Sequence, residues 1–239
     1  APFWIAAALS ALNVAFGLFI LPESLKKENR RPFGKRDLNP FGTIKRACLI
    51  PGLAIPLICI FVFEFANMVY PTLWAFWGRE VFGWDGFTIG LTLSAYGILI
   101  AAVQAGILPQ LTKRLGDYKT LIFATATAIV GLIGFGFANT VLLVAIFLPI
   151  AALSDMAPPL LTAFAANRVG EDAQGLVQGV IASLSSVAAV AAPLALTGIF
   201  ERFVNAVGLY LPGAPFLVSA ALIIAIFPLI RRLRPRSGA

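Results

Sequence analysis

Long apolar runs separated by short polar stretches dominate the chain. Seven windows are apolar over roughly the 20 residues needed to cross about 30 Å of hydrocarbon. These windows are Pro2 to Leu21, Cys48 to Phe76, Phe87 to Pro109, Thr120 to Ala138, Val141 to Ala165, Gly175 to Phe200 and Ala214 to Ile230. The pattern predicts an all-α membrane protein, because helices satisfy their own backbone hydrogen bonds in lipid.

The connection between the first two windows, residues 22–47, is the longest and contains eight Lys and Arg residues and three prolines. This composition is typical of an extended basic linker at a membrane surface. We therefore expect residues 1–21 to be the last helix of a preceding bundle and residues 48–230 to form a second bundle of six helices. Residues 231–239 then form a basic tail. Because residue 1 is Ala and no signal-peptide lead precedes the first window, we interpret the chain as a fragment.

Composition and charge support a membrane protein and predict its orientation. The chain is 59% hydrophobic, only 12% charged and has a net charge of +7. Apart from Arg79 and Arg202, every Lys and Arg lies in the linker, in the loop Lys113 to Lys119, at Arg168 or in the tail. These segments fall on alternate sides of the membrane, so we expect them to be cytoplasmic and the first residue to be outside. The same distribution explains the positive charge without a nucleic-acid partner.

The chain has no histidine and only two cysteines. This excludes disulfide frameworks, imidazole zinc sites and every triad that uses histidine. Since no paired acids or nucleophile motifs replace them, we predict no catalytic residue, no metal, no cofactor and no enzymatic activity.

Three stretches resemble a known family. The segments Leu21 to Leu25 and Arg30 to Phe33 resemble the exit from the sixth helix of tetracycline and multidrug efflux proteins, in the drug:proton antiporter branch of the major facilitator superfamily. The stretch Leu73 to Trp84 looks like the external end of that family's seventh helix. The stretch Gln174 to Leu194 looks like its eleventh. The resemblance covers essentially the whole chain, as helices six to twelve of twelve.

The resemblance implies the C-terminal six-helix half of a major facilitator fold plus the last helix of the N-terminal half. It also implies a bacterial inner-membrane transporter that alternates its access and binds substrate between two halves near the midplane. Tetracycline exporters of this group carry an essential carboxylate in the ninth helix, whereas Leu121 to Ala138 contains no acid and has Ala128 near that position. A broader or different drug range therefore stays open.

Two acids, Glu64 and Asp155, lie inside predicted spans. A charge at the bilayer centre costs roughly 2.5–3.5 kcal/mol on insertion scales, so each should be neutralised, hydrated or functional. At about 100° per residue, Glu64 shares an arc of roughly 80° with Asn67, Pro71 and Trp74. This face is a candidate for lining a pathway, with Glu64 binding a proton in one access state and a drug in the other. Alternatively, Glu64 only hydrogen-bonds Asn67 or a neighbouring helix.

Asp155 precedes Pro158 and Pro159, which interrupt the helix. Irregular backbone at membrane depth is tolerated mainly around a cavity or against protein, which favours a gating or ion-binding role. The plainer alternative is that Asp155 caps the helix that restarts after the prolines.

The remaining candidates serve either a substrate cavity or helix packing. Tyr96, Gln104 and Gln178 could hydrogen-bond a ligand, or could form interhelical hydrogen bonds instead. Trp74 could stack on a planar drug or anchor the helix end at the membrane interface. Small residues at three- or four-residue spacing let helices pack closely. We assign that role to Gly90, Gly97, Gly175, Gly179 and Ser183, and the same spacing occurs at Gly131, Gly134 and Gly136.

These observations predict proton-coupled efflux of amphipathic drugs, tetracycline-like ones first, in partnership with the missing N-terminal half. A superfamily member that moves a small metabolite is the first alternative. A membrane scaffold that transports nothing is the alternative from another class.

Overall fold

The computed structural model describes residues 2–20, 47, 49–170, 173–205 and 209–234. Helices dominate these residues, and no strand occurs among them. A π-helical turn, Val103–Ile107, joins two of them. The helices are α1 (Pro2–Ile20), α2 (Ala54–Asn67), α3 (Val69–Phe82), α4 (Gly86–Ala102), α5 (Leu108–Leu115), α6 (Asp117–Phe137), α7 (Val141–Ser154), α8 (Ala157–Ala166), α9 (Gln174–Val204) and α10 (Ala214–Arg231).

The chain divides into two compact units, Ala1–Lys35 and Arg36–Ala239. The described part of the first unit is α1, an apolar helix of 19 residues. The second unit contains α2 to α10. The predicted linker lies outside the described residues except for Ala47, as do residues 235–239 of the predicted tail. The division at residues 21 and 47 therefore stays a prediction.

Six helical segments are long and apolar enough to cross a membrane, and the chain is a multi-pass membrane protein. They are Ala54–Phe82, Gly86–Leu115, Asp117–Phe137, Val141–Ala166, Gln174–Val204 and Ala214–Arg231. These six spans confirm six of the seven predicted windows. The second window was placed too early, because Pro51 and Gly52 form a turn with Gly52 at φ +80° before α2 begins.

Two spans are interrupted where proline removes a backbone donor. Pro71 has no N–H for the carbonyl of Asn67, and the helix breaks for one residue at Met68, between α2 and α3. Pro158 and Pro159 likewise leave the span of α7 and α8 without its regular hydrogen bonds. There the chain tightens, and the amide of Asp155 donates to the carbonyl of Ala152 at 3.2 Å. Both breaks place non-helical backbone inside an apolar span.

The core of the second unit centres on α6 and α2. Helix α6 packs against α7 and α10, and α2 packs against α8, α9 and α10. An aromatic cluster joins α3, α6 and α10 through Trp77, Phe135 and Phe216, which are nearly inaccessible to solvent. Their ring centroids lie 5.2 to 6.0 Å apart. These rings fix the position of α3 against the rest of the bundle.

Close helix contacts occur at Gly131, Gly134 and Gly136 of α6, where the spacing predicted them, and at Gly213. A methyl group at Gly134 would collide with the ring of Phe147, and one at Gly213 would collide with the backbone of Gly136. Gly131 allows a similar approach to Ala151, where a methyl group would lie 3.3 Å from the Cα atom. These contacts explain how α6 reaches both α7 and the start of α10.

The predicted packing glycines on α4 and α9 make no such contacts. A methyl group at Gly90, Gly97, Gly175 or Gly179 would meet nothing within 4 Å in the described residues. The Ser183 hydroxyl donates to the carbonyl of Gly179 in its own helix at 2.9 Å. The prediction that these residues pack helices together is therefore wrong within the described bundle, because all four glycines are exposed on its surface.

A tight turn connects α3 to α4. Gly83 adopts φ +66°, and the amide of Trp84 donates to the carbonyl of Gly78 at 3.2 Å, as in a Schellman helix ending. Asp85 then caps α4, since its carboxylate accepts a hydrogen bond from the amide of Thr88 at 2.9 Å. The turn holds two successive spans close together at one end of the bundle.

We expect Gly213→Ala to destabilise the protein by about 1–3 kcal/mol, because the added methyl group forces the backbone away from Gly136. Thermal unfolding of the purified protein in detergent measures this change. Gly198→Ala is the matched control, since a methyl group there meets nothing within 4 Å. Equal stability of the two variants would contradict the close backbone contact.

We expect Asp85→Ala to lower the melting temperature above about pH 4. Hydrogen bonds from Thr88 hold the pKa of the Asp85 carboxyl below its ordinary value. A lowered folded-state pKa stabilises the protein above the unfolded pKa, and this stabilisation disappears as the pH falls through the folded pKa. The variant and wild type should therefore converge in acid. Asp85→Asn keeps a capping oxygen and should stay close to wild type, and a deficit as large as that of Asp85→Ala would contradict the cap.

Candidate functional site

The break between α7 and α8 positions the Asp155 carboxylate. Asp155 ends α7, is half-buried and accepts a hydrogen bond at Oδ2 from the hydroxyl of Tyr96 on α4, at 2.7 Å. The first turn of α8 has no side-chain cap. The alternative that Asp155 caps the restarted helix is therefore wrong. Its carboxylate bonds to another span instead, so two predicted site residues meet although they are 59 positions apart.

Tyr70, which was not among the predicted site residues, is a third member of this cluster. Its ring centroid lies 5.9 Å from that of Tyr96 and 5.9 Å from that of Phe135. Its hydroxyl oxygen is buried and has no hydrogen-bond partner among the described residues. The sequence did contain a signal, because Tyr70 directly precedes Pro71 at the point where the span is interrupted.

A small apolar cleft adjoins the cluster. Helices α3, α4, α6 and α7 contribute its walls, and four of its six lining residues are aromatic. The lining residues are Tyr70, Trp74, Leu93, Tyr96, Phe135 and Leu148. Aromatic walls favour stacked or edge-to-face contacts with a flat apolar group. Tyr70 and Tyr96 belong both to the cleft and to the cluster at Asp155.

Trp74 forms one wall of the cleft and is held in place on several sides. Only 4% of Trp74 is exposed, and its indole N–H donates to the hydroxyl of Thr92 at 2.9 Å. Its ring lies 5.3 Å from Phe135, edge to face. The interface-anchor alternative is therefore wrong, since an anchor would place the indole N–H among lipid headgroups.

Glu64 lies apart from the cleft lining. It is half-buried near the end of α2, and no described residue hydrogen-bonds its carboxylate. Among the described residues, Glu64 therefore makes no hydrogen bond to the side chain of Asn67. The predicted common face is also wrong as a single surface, because Trp74 is buried whereas Pro71 is exposed. Asn67 remains beside Glu64 on α2, half-buried and outside the cleft lining.

The two predicted glutamines also lie outside the cleft lining. Gln104 is exposed within the π-helical turn that joins α4 to α5, and such turns often occur at functional sites. Pro109 follows this turn and lacks the donor that a regular helix would use. Gln178 is exposed on α9. Both amides are therefore available to groups outside the described bundle.

Comparison with known proteins shows a family that this sequence matches. Residues 1–193 match the family described as the Major Facilitator Superfamily. The chain is similar to the tetracycline resistance protein, class C, of Escherichia coli, with 32% identity over 232 residues, which are 97% of this chain and 57% of that protein. It is also similar to multidrug resistance protein 2 of Bacillus subtilis (strain 168), with 30% identity over 87% of this chain and 55% of that protein. The chain thus spans a little over half the length of these relatives.

A solved structure shares the fold. The crystal structure of the human organic anion transporter MFSD10 (TETRAN) superposes with a TM-score of 0.77 at 19% sequence identity. The match covers 95% of this chain and 56% of that protein. At this level of identity, the likeness concerns the fold alone.

We expect Thr92→Val to destabilise the protein by about 1–3 kcal/mol, because it leaves the largely buried indole N–H of Trp74 without an acceptor. Thermal unfolding measures the loss, and tryptophan fluorescence reports the altered surroundings of the indole. Thr112→Val is the control, since the Thr112 hydroxyl bonds only to carbonyls of its own helix region. An unchanged melting temperature for Thr92→Val would contradict this account of the wall.

Proposed function

The chain belongs to the Major Facilitator Superfamily, and on that premise we propose that it is the C-terminal part of a proton-coupled drug exporter. Its substrates are amphipathic drugs, with tetracycline-like compounds as the first class to test. Two relatives are named for tetracycline and multidrug resistance, which supports this class. The full transporter works by alternating access between two halves, with substrate bound between them.

The observation that carries the proposal is the hydrogen bond between Tyr96 and Asp155 beside an apolar cleft. A carboxyl group inside a span is costly unless it serves a function. Here it lies next to a cleft whose aromatic walls suit the ring of an amphipathic drug. A small polar metabolite would find few hydrogen-bond partners on those apolar walls. The cleft therefore favours drugs over the metabolite alternative.

We assign proton coupling to Asp155 and Glu64 and drug contacts to the residues around them. Trp74 and Tyr96 contact the ring in the cleft. Gln104, Gln178 and Asn67 offer hydrogen bonds from neighbouring surfaces. Glu64 has no partner among the described residues, which leaves its carboxyl group free to bind a proton or a basic group of the drug.

The proposed partner is an N-terminal half that covers the exposed faces of α4 and α9. Gly90 and Gly97 on α4, and Gly175 and Gly179 on α9, present surfaces on which a facing helix could approach closely. The coverage of just over half of each relative supports this partner. In the proposed orientation, Arg79 and Arg202 face outside and the basic loops face the cytoplasm.

Everted vesicles that contain the complete transporter test the proposal directly. We expect an imposed proton gradient to drive tetracycline uptake, and we expect an uncoupler to abolish it. Glu64→Gln and Asp155→Asn each remove one proton-binding group and should reduce uptake to the uncoupled level. The 239-residue chain alone should transport nothing, because half of the substrate cavity would then face lipid.

Glu201→Gln is the control, since Glu201 is an exposed acid near the end of α9. Full proton-driven uptake in both acid variants would refute the coupling role. No uptake by folded wild-type protein would direct the search to a panel of metabolites. If no solute crossed at all, the scaffold alternative would replace transport.

A further inference from the structure

Only one of the two oxygens of the Asp155 carboxylate has a hydrogen-bond partner among the described residues. Tyr96 donates to Oδ2, and no described residue bonds to Oδ1. An ionised carboxylate only accepts hydrogen bonds, whereas a protonated carboxyl group also has an O–H to donate. Protonation at Oδ1 would therefore create a donor that needs an acceptor inside an apolar span.

The Tyr70 hydroxyl is an unpaired acceptor on a ring that packs against Tyr96. It is buried without a partner among the described residues, and such groups are rare and call for an explanation. Its ring packs against that of Tyr96, whose hydroxyl contacts Asp155.

We propose that Tyr70 accepts a hydrogen bond from protonated Asp155, so that Asp155, Tyr96 and Tyr70 together form one proton-binding site. The proposal rests on the proton-coupled function above and adds Tyr70 to it as a positioning residue. Hydronium gives a proton to Oδ1 and leaves as water while Tyr96 still donates to Oδ2, and release reverses this step. No electrons are exchanged.

Few other titratable groups inside the neighbouring spans could compete for this proton. The span of α7 and α8 packs against α2, α4, α6 and α9. Inside the apolar lengths of these helices, the other titratable groups are Cys59 and Glu64 on α2 and Tyr96 on α4. The remaining ones lie toward helix ends, namely Asp117, Tyr118 and Lys119 on α6 and Glu201 and Arg202 on α9. Among the described residues, only Tyr96 hydrogen-bonds the Asp155 carboxylate.

The same geometry links the proton to a ligand. Both tyrosines line the apolar cleft, so a ring bound there contacts the two side chains that hold the carboxyl group. A ring that displaces Tyr70 removes the acceptor for the protonated form, and one that displaces Tyr96 removes the donor to the ionised form. Binding in the cleft therefore changes the proton affinity of Asp155, and protonation changes the affinity for the ring in return.

Infrared titration of the complete transporter in lipid, without substrate, tests the site. The carboxyl band that disappears in Asp155→Asn identifies the group, and its intensity against pH gives a midpoint. We expect Tyr70→Phe to weaken proton binding about three- to tenfold, which moves the midpoint down by roughly half to one pH unit. We expect Tyr96→Phe to move the midpoint up, because it removes the donor that favours the ionised form.

The opposite directions distinguish this site from a structural role, since both variants delete one phenolic oxygen near the same carboxyl group. Tyr118→Phe is the control and should move nothing, because that hydroxyl bonds to the Arg231 carbonyl far along the chain. Tyr70→Phe should melt at or above the wild-type temperature, since it removes an unpaired oxygen. A lower melting temperature for it would contradict the unpaired hydroxyl.

The outcomes separate this proposal from drug export. An unchanged midpoint in Tyr70→Phe, a shift of both tyrosine variants in one direction, or the lack of an Asp155 band would overturn the proton site even if proton-driven uptake is intact. Opposite shifts without any drug uptake would support the proton site and overturn drug export alone.

Discussion

Hydrocarbon supplies no hydrogen-bond partners, and this constraint governs where the second unit can carry polar groups. Regular helix satisfies the backbone over most of each span. Proline breaks that pattern at Met68 and at Asp155, and in both places the freed backbone lies next to other protein. The polar side chains of interest occur at these interruptions. Tyr70 follows the first break by two residues, and Asp155 is part of the second.

The aromatic cluster turns these two breaks into a defined site. Trp77, Phe135 and Phe216 hold α3 against α6 and α10 through contacts among large, almost fully buried rings. Trp74 extends this wall and is locked by its hydrogen bond to Thr92 on the next span. Such packing restricts the motion of the cleft wall, so the distance between Tyr96 and Asp155 is set by the fold rather than by flexible loops.

Helix-length apolar windows made the spans predictable, because the bilayer thickness imposes one length on all of them. Asp155 and Tyr96 were also recognisable individually, as an acid and a phenol inside apolar runs. Their hydrogen bond was not predictable, since it depends on the rotation of helices whose residues lie 59 positions apart.

The prediction of a common face from Glu64 to Trp74 failed for a local reason. The angular argument assumes a continuous helix, and the break at Met68 lies between these two residues. The packing prediction for the glycines of α4 and α9 failed for a different reason. Residue spacing identifies a surface that allows close approach, but it does not identify the helix that packs there.

The choice of partner for Asp155 has a physical consequence. A Lys or Arg beside the carboxylate would favour the ionised form strongly and oppose its protonation. A tyrosine hydroxyl is neutral and can either donate or accept, so it can satisfy a carboxylate or a carboxylic acid. Two tyrosines beside one carboxyl group can thus serve both protonation states with little rearrangement of the surrounding helices. In the described spans of the second unit, Lys and Arg occur only toward the helix ends. The middle of the bundle therefore favours groups that change hydrogen-bonding role over groups that fix a charge.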